Sequence, residues 1–114
     1  MSQLLDLNRI NTLKDIFSGD DSMNDLIETF INQSRKLKGE IGKALDQNDY
    51  QELRALIHNL KSSSLNLGAA ALSEACQNTE QALKENRTEG LETSINDIYS
   101  LIERTEEELN RLFS

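Results

Sequence analysis

Apolar residues return every three or four positions from one end of this chain to the other, and that period favours α-helices over strands. It is most regular near the C-terminus, where Leu91, Ile95, Ile98, Ile102, Thr105, Leu109 and Leu112 alternate in steps of four and three, the spacing of a bundle or coiled-coil seam. Composition agrees. The 114 residues include no proline, few β-branched side chains and 4% aromatics, so strands lack the residues that favour them. Five helices are expected. Leu4, Leu7, Ile10, Leu13, Ile16 and Phe17 make one stripe of a short first helix, which Ser18-Gly19-Asp20-Asp21 interrupts. Ser22 with Asp25 has the form of a capping box and opens a long second helix carrying Met23, Leu26, Ile27, Phe30, Leu37, Ile41, Ala44 and Leu45 as far as Asn48-Asp49. Gly39 and Gly42 within it point to a bend or a close helix contact. Asp49 with Glu52 repeats the capping signature for a third helix, which ends near Asn66 before Leu67-Gly68, a glycine able to take the left-handed conformation. The fourth helix starts at Ala69, turns Leu72, Ala75, Cys76, Thr79 and Leu83 inward, and stops at Asn86-Arg87-Thr88-Glu89-Gly90. Short loops make successive helices pack as neighbours. The expected fold is therefore all-α, one domain over residues 1–114: helices two to five form an antiparallel up-down-up-down four-helix bundle, and the first helix covers one end.

Counts of reactive side chains narrow the chemistry. A single Cys excludes a disulfide scaffold, and one Cys with one His cannot supply the four ligands that structural zinc usually takes. Carboxylate-bridged metal bundles need a Glu-x-x-His pair on two helices, so Glu103 and Glu107 fail that test in a chain with one His. No glycine-rich loop follows a strand, which leaves no cradle for a nucleotide. Twelve basic against twenty acidic residues give a formal charge of −8, which repels nucleic acid and anionic membrane surfaces. The longest apolar run is Ala69 to Leu72, and Met1 to Asn8 lack the basic start and apolar body of a signal peptide; a cytoplasmic location without membrane contact is expected.

The third helix carries what chemistry remains. At about 100° per residue, Leu53, Leu56, Ile57, Leu60, Ser64 and Leu67 share its inward face, while Arg54, His58, Lys61, Ser62 and Leu65 form the opposite stripe. A lone His is usually a structural side chain, yet a buried one would sit at 56, 57 or 60. Arg54 and Lys61 flank the imidazole by one turn on either side, so an anion is attracted locally in a protein that repels it globally. A merely solvated helix face is the plain alternative for these two cations. Ser62 is small and leaves the ring edge open, and Leu65 adds an exposed apolar contact.

The run Ile57-His58-Asn59-Leu60-Lys61-Ser62-Ser63-Ser64-Leu65-Asn66-Leu67-Gly68-Ala69, continuing through Leu72-Ser73 and Cys76 to Glu80, resembles the signature of histidine-containing phosphotransfer (HPt) domains. That signature reads His-x-Leu-Lys-Gly-Ser-Ser, then Leu-Gly-Ala, then Leu and Cys at helical spacing. Two positions depart from it: Ile57 stands where the family usually has Ala, and Ser62 where it usually has Gly. Ile57 faces inward and alters packing only. The family's Gly gives a receiver domain close access to the imidazole, so the hydroxymethyl group of Ser62 either slows docking or donates a hydrogen bond to the phosphoryl group. Ser at this position is found in a minority of the family, including free-standing phosphorelay proteins of bacterial quorum sensing.

The resemblance implies a phosphorelay protein that takes a phosphoryl group from an aspartyl phosphate on a receiver domain, carries it on His58 and passes it to another receiver's Asp. A neutral imidazole nitrogen is a competent nucleophile near pH 7. Lys61, with Arg54 and Ser62, would neutralise and hold the group, and Arg54 and Leu65 would meet the partner. Mg²⁺ and the acceptor carboxylate would come from the receiver, so the chain needs no cofactor of its own and has no ATP-dependent kinase activity. Its expected partners are receiver domains of response regulators and of a hybrid sensor histidine kinase. Met1 and the lack of a linker favour a whole protein over a domain cut from a larger kinase. Elsewhere, Ser62, Ser63 and Ser64 read as contact or access positions rather than kinase targets, Cys76 as core, and Glu106-Glu107-Glu108 as a solvated face. The rival is a helical scaffold or coiled-coil adaptor that pairs through the Leu91 to Leu112 stripe. Sedimentation separates the two: a bundle that buries this stripe internally runs as a monomer, whereas a dimer would favour the adaptor.

Overall fold

The computed structural model describes residues 3–17 and 22–113, and five helices account for most of them: α1 (Leu7–Ile16), α2 (Ser22–Asp46), α3 (Tyr50–Leu67), α4 (Ala70–Lys84) and α5 (Leu91–Phe113). There is no strand among the described residues. The expected interruption at residues 18–21 lies outside them, as do Met1 and Ser2. Ser22 is the first residue of α2 rather than the residue before it. At α3 the sequence signals hold: Asp49 accepts a hydrogen bond from the Glu52 amide at 3.2 Å, and Gly68 ends the helix at φ +95° with its amide bonded to Ser64 O. Asn48 and Asn86 take left-handed φ just after α2 and α4, a conformation Asn tolerates better than most residues.

Helix α2 packs on α3, α3 on α4, α4 on α5, and α5 back on α2, closing a four-helix bundle. Antiparallel α2 and α5 are cross-linked at their surface by Arg35 with Glu106 and by Lys38 with Glu103, pairs that mark register more than they stabilise. The core runs through Ile41, Leu53, Ile57, Leu60, Leu72, Ile95, Ile98 and Leu109, all completely buried. The α5 seam from Leu91 to Leu109 is buried within this bundle. Ala75 is only half-buried, because the inward side of α4 is taken by Leu72, Cys76, Thr79, Glu80 and Leu83. Of the two mid-helix glycines, Gly42 makes the close contact: a Cβ there would lie 3.2 Å from the Tyr99 hydroxyl, while Gly39 faces open space.

The first segment departs from the expected single stripe. Asp6 caps α1 by accepting from the Arg9 amide, so Leu4 and Leu5 precede the helix, and Leu5, Ile10 and Leu13 are buried while Leu7 and Ile16 are exposed. Leu4 to Asp6 are instead tied to the α3–α4 turn, with the Asp6 amide donating to Gly68 O at 2.7 Å, the Ala71 amide to Leu4 O at 3.3 Å, and Arg9 Nε to Asn66 O at 2.9 Å. Helix α1 thus covers the end of the bundle at which α3 stops. A Cβ at Gly68 would sit 3.2 Å from Arg9 Cβ and Cγ and 3.3 Å from Asp6 O, on a backbone that L-residues rarely adopt. Gly68→Ala should therefore lower stability by about 1–3 kcal/mol in urea denaturation; an unchanged midpoint would contradict the close packing of this turn.

Candidate functional site

Six apolar or small side chains of α3 (Leu53, Leu56, Ile57, Leu60, Ser64 and Leu67) enter the core as the sequence indicates. That leaves His58 on the outer face, its side chain 55% exposed. The ring borders a cleft of about 530 Å³ between α3 and α4, whose walls include Arg54, Glu80 and Lys84. Arg54 and Lys84 make no ion pair among the described residues, so both cations are available to the cleft.

Glu80 gives this site its order. It lies one turn beyond Cys76 on the inner side of α4, with only 7% of its side chain exposed. Its Oε2 is 2.8 Å from His58 Nδ1, and its Oε1 accepts from Lys61 Nζ at 2.5 Å. Burial alone would push the Glu80 carboxyl up, but the hydrogen bonds from Lys61 and His58, together with the charges of both, hold it below the ordinary value of 4.5. An ionised carboxylate can only accept, so the network assigns the ring hydrogen to Nδ1. In the neutral ring Nε2 then keeps its lone pair.

The other expected residues fall into three groups. Lys61 shares the His58 side of α3 but is not solvent-facing: only 16% of its side chain is exposed, because α4 brings Glu80 over it. Leu65 is 57% exposed, an unburied apolar surface one turn beyond Lys61. Ser62 is half-buried, and its hydroxyl has no partner among the described residues. Of its neighbours, Ser63 Oγ donates to Gln33 and the fully buried Ser64 Oγ to Leu60 O, which are structural contacts. Cys76 is buried, and burial followed by the charge of Glu80 pushes its thiol up to about 12, leaving it protonated. Among the described residues no group of three or more His, Cys, Asp or Glu side chains is arranged to hold a metal ion.

Sequence reasoning missed the parts played by Glu80 and Lys84. The signal for Glu80 was its place on the apolar stripe of α4, four residues after Cys76 and eight after Leu72, where an unpaired carboxylate would be costly. Lys84 follows one turn later.

The helical bundle thus displays one oriented imidazole on its flank, beside a cleft lined by two cations that make no ion pair among the described residues. Residues 25–113 match the family model of the Hpt domain, and the chain belongs to that family: it is a histidine phosphotransfer domain of a phosphorelay. Its structure is similar to that of histidine-containing phosphotransfer protein B (HptB) from Pseudomonas aeruginosa PAO1, with a TM-score of 0.90 at 22% identity over 97% of this chain and 95% of that one. It is also similar to ZmHP2 from maize (TM-score 0.84, 18% identity, 96% of this chain and 88% of that one). A third similar structure is MtHPt2 from Medicago truncatula (TM-score 0.77, 23% identity, 96% and 78%). No curated protein sequence matches the chain.

The lowered Glu80 carboxyl makes a signed prediction. A carboxyl depressed in the folded state stabilises above its unfolded value and loses that contribution as pH falls through its folded value. The stability gap between wild type and Glu80→Gln, read by urea denaturation, should be widest near about pH 7 and shrink below about pH 4.5. A gap independent of pH would mean that Glu80 is not held ionised by its partners.

Proposed function

We propose that His58 Nε2 is the atom that carries the phosphoryl group, receiving it from an aspartyl phosphate of one receiver domain and delivering it to the Asp of another. The observation that carries this reading is the 2.8 Å contact between His58 Nδ1 and buried Glu80, which leaves the lone pair on Nε2 of an exposed ring. In the forward step the Nε2 lone pair forms the P–N bond while the P–O bond to the donor Asp breaks, its electron pair returning to the carboxylate. Charge in such a transfer is spread over the equatorial oxygens, so the domain acts by positioning and neutralisation. Arg54, on the cleft wall and without an ion pair among the described residues, supplies a cation directly, whereas Lys61 acts mainly through Glu80, which it touches at 2.5 Å. Ser62, one turn past His58, meets the incoming group by hydrogen bond or by narrowing its approach, and Leu65 offers the partner an apolar contact.

The receivers, supplied by a hybrid sensor histidine kinase and by response regulators, bring the Mg²⁺ and the acceptor carboxylate. On this reading the chain has no kinase activity or cofactor of its own and works in the cytoplasm. No described helix is long and apolar enough to cross a membrane. The burial of the α5 seam supports a monomer, and the ties from Leu4, Asp6 and Arg9 to the α3–α4 turn support one domain over residues 1–114.

Incubation with a receiver domain carrying labelled aspartyl phosphate tests the assignment: wild type takes up the label and His58→Gln does not. Label retained by His58→Gln would overturn it. Lys61→Ala should keep the helical circular dichroism spectrum and slow transfer roughly tenfold, about 1.4 kcal/mol in the barrier; transfer at the wild-type rate would remove Lys61 from the mechanism.

A further inference from the structure

Resting on the reading of His58 as the carrier, we propose that Glu80 is a positioning residue that keeps one proton on Nδ1 through the whole cycle, so that the phosphoryl group enters and leaves without any proton transfer. Once Nε2 bears phosphorus, the ring exists either as a cation with hydrogen on Nδ1 or as a neutral ring with a lone pair there. The difference decides its quality as a donor. When the P–N bond of the cationic ring breaks, the electron pair returns to Nε2 and neutral imidazole departs; from the neutral ring the departing group would be an imidazolate, a far stronger base and a poorer leaving group.

Glu80 selects the cationic form on geometric grounds. Its Oε2 faces Nδ1 at 2.8 Å from a side chain only 7% exposed. Loss of the Nδ1 hydrogen would set a nitrogen lone pair against carboxylate lone pairs with little water to intervene, an unsatisfied pair of acceptors. A carboxylate cannot turn to become a donor, whereas an amide in its place could present its NH₂ to the deprotonated ring.

The proton inventory then balances in both directions. On entry the ring already has its Nδ1 hydrogen, and the positive charge it acquires lies against the Glu80 carboxylate. On exit the P–N pair returns to Nε2, a P–O bond forms on the acceptor, and the same hydrogen stays on Nδ1. The surrounding charges set how firmly it is held. Lys61 from α3 keeps Glu80 ionised, Arg54 from α3 and Lys84 from α4 line the cleft as cations that oppose a charged ring, and Cys76 beneath Glu80 on α4 remains a neutral thiol. On the α2 side a side-chain hydrogen bond to α3 joins the neutral pair Gln33 and Ser63. Glu80 is the one anion touching the ring among the described residues.

The test uses the whole chain phosphorylated by phosphoramidate, from which ammonia departs, with loss of the phosphoryl group to water followed by ³¹P NMR between about pH 7 and 9. Wild type should lose phosphate at a rate nearly independent of pH. In Glu80→Gln the rate should fall with rising pH, approaching tenfold per pH unit, and Glu80→Asp should restore part of the flat profile. Parallel profiles for wild type and Glu80→Gln would overturn the proposal, because a merely structural role for Glu80 would not create a pH slope. Should Glu80→Gln fail to fold, the ¹⁵N shift of Nδ1 in phosphorylated wild type decides: it should not titrate over this range, and titration within it would overturn the proposal. Phosphoramidate label persisting on His58→Gln would instead defeat the assignment of His58, an outcome distinct from either.

Discussion

A carboxylate placed between two helices with almost no access to water is costly unless its oxygens find donors, and Glu80 gives each oxygen one by reaching Lys61 and His58 on the facing helix at the same time. This bridge fixes more than one feature. It sets the rotational alignment of α4 against α3, since Oε1 and Oε2 must meet side chains one turn apart. It draws the Lys61 stem into the groove, leaving an exposed imidazole whose inner nitrogen is committed and whose outer nitrogen is not. Removing Glu80 leaves His58 and Lys61 both without this partner, and removing either of those two leaves one Glu80 oxygen without its donor, so the cluster works as a unit.

The rest of the bundle holds that bridge in place. Leu53, Ile57 and Leu60 anchor the inner face of α3 in the core, so the helix cannot rotate His58 inward without exposing them. The turn after α3 is held by the left-handed Gly68 and covered by the segment leading into α1, whose backbone bonds to it directly. On the far side, α2 and α5 close the barrel of helices and bury the apolar seam of α5 within it. A chain of charge −8 thereby presents a local exception, a cleft with Arg54 and Lys84 on its walls beside the one histidine. The same surface that repels polyanions overall can accept a single phosphoryl group here.

Much of this was legible in the order of the residues. Helical spacing, the Asp49 cap, the Gly68 stop and the division of α3 into inner and outer faces follow from periods and from rules that involve neighbours in sequence, and the structure agrees with them. The exposure of His58 followed from the same angular sorting. What escaped had a common physical origin in contacts between helices. Lys61 lies on the His58 side of α3, and only the arrival of Glu80 from α4, nineteen residues later, makes it an inner member of an ion pair. Glu80 reads as one more charge in an acidic chain until its place on the apolar stripe with Leu72 and Cys76 is weighed. At the N-terminus, period alone put Leu7 and Ile16 inward, but the backbone ties to the α3–α4 turn begin the helix later and turn those two residues to solvent.

The central claim is that one ring nitrogen is committed to Glu80 and the other is the reactive atom. Heteronuclear NMR on the phosphorylated protein labelled with ¹⁵N in its single histidine addresses both halves at once. The account predicts a one-bond ³¹P–¹⁵N coupling to Nε2 of His58, with a hydrogen bound to Nδ1. Phosphorus coupled to Nδ1, or no coupling to either ring nitrogen, would contradict it.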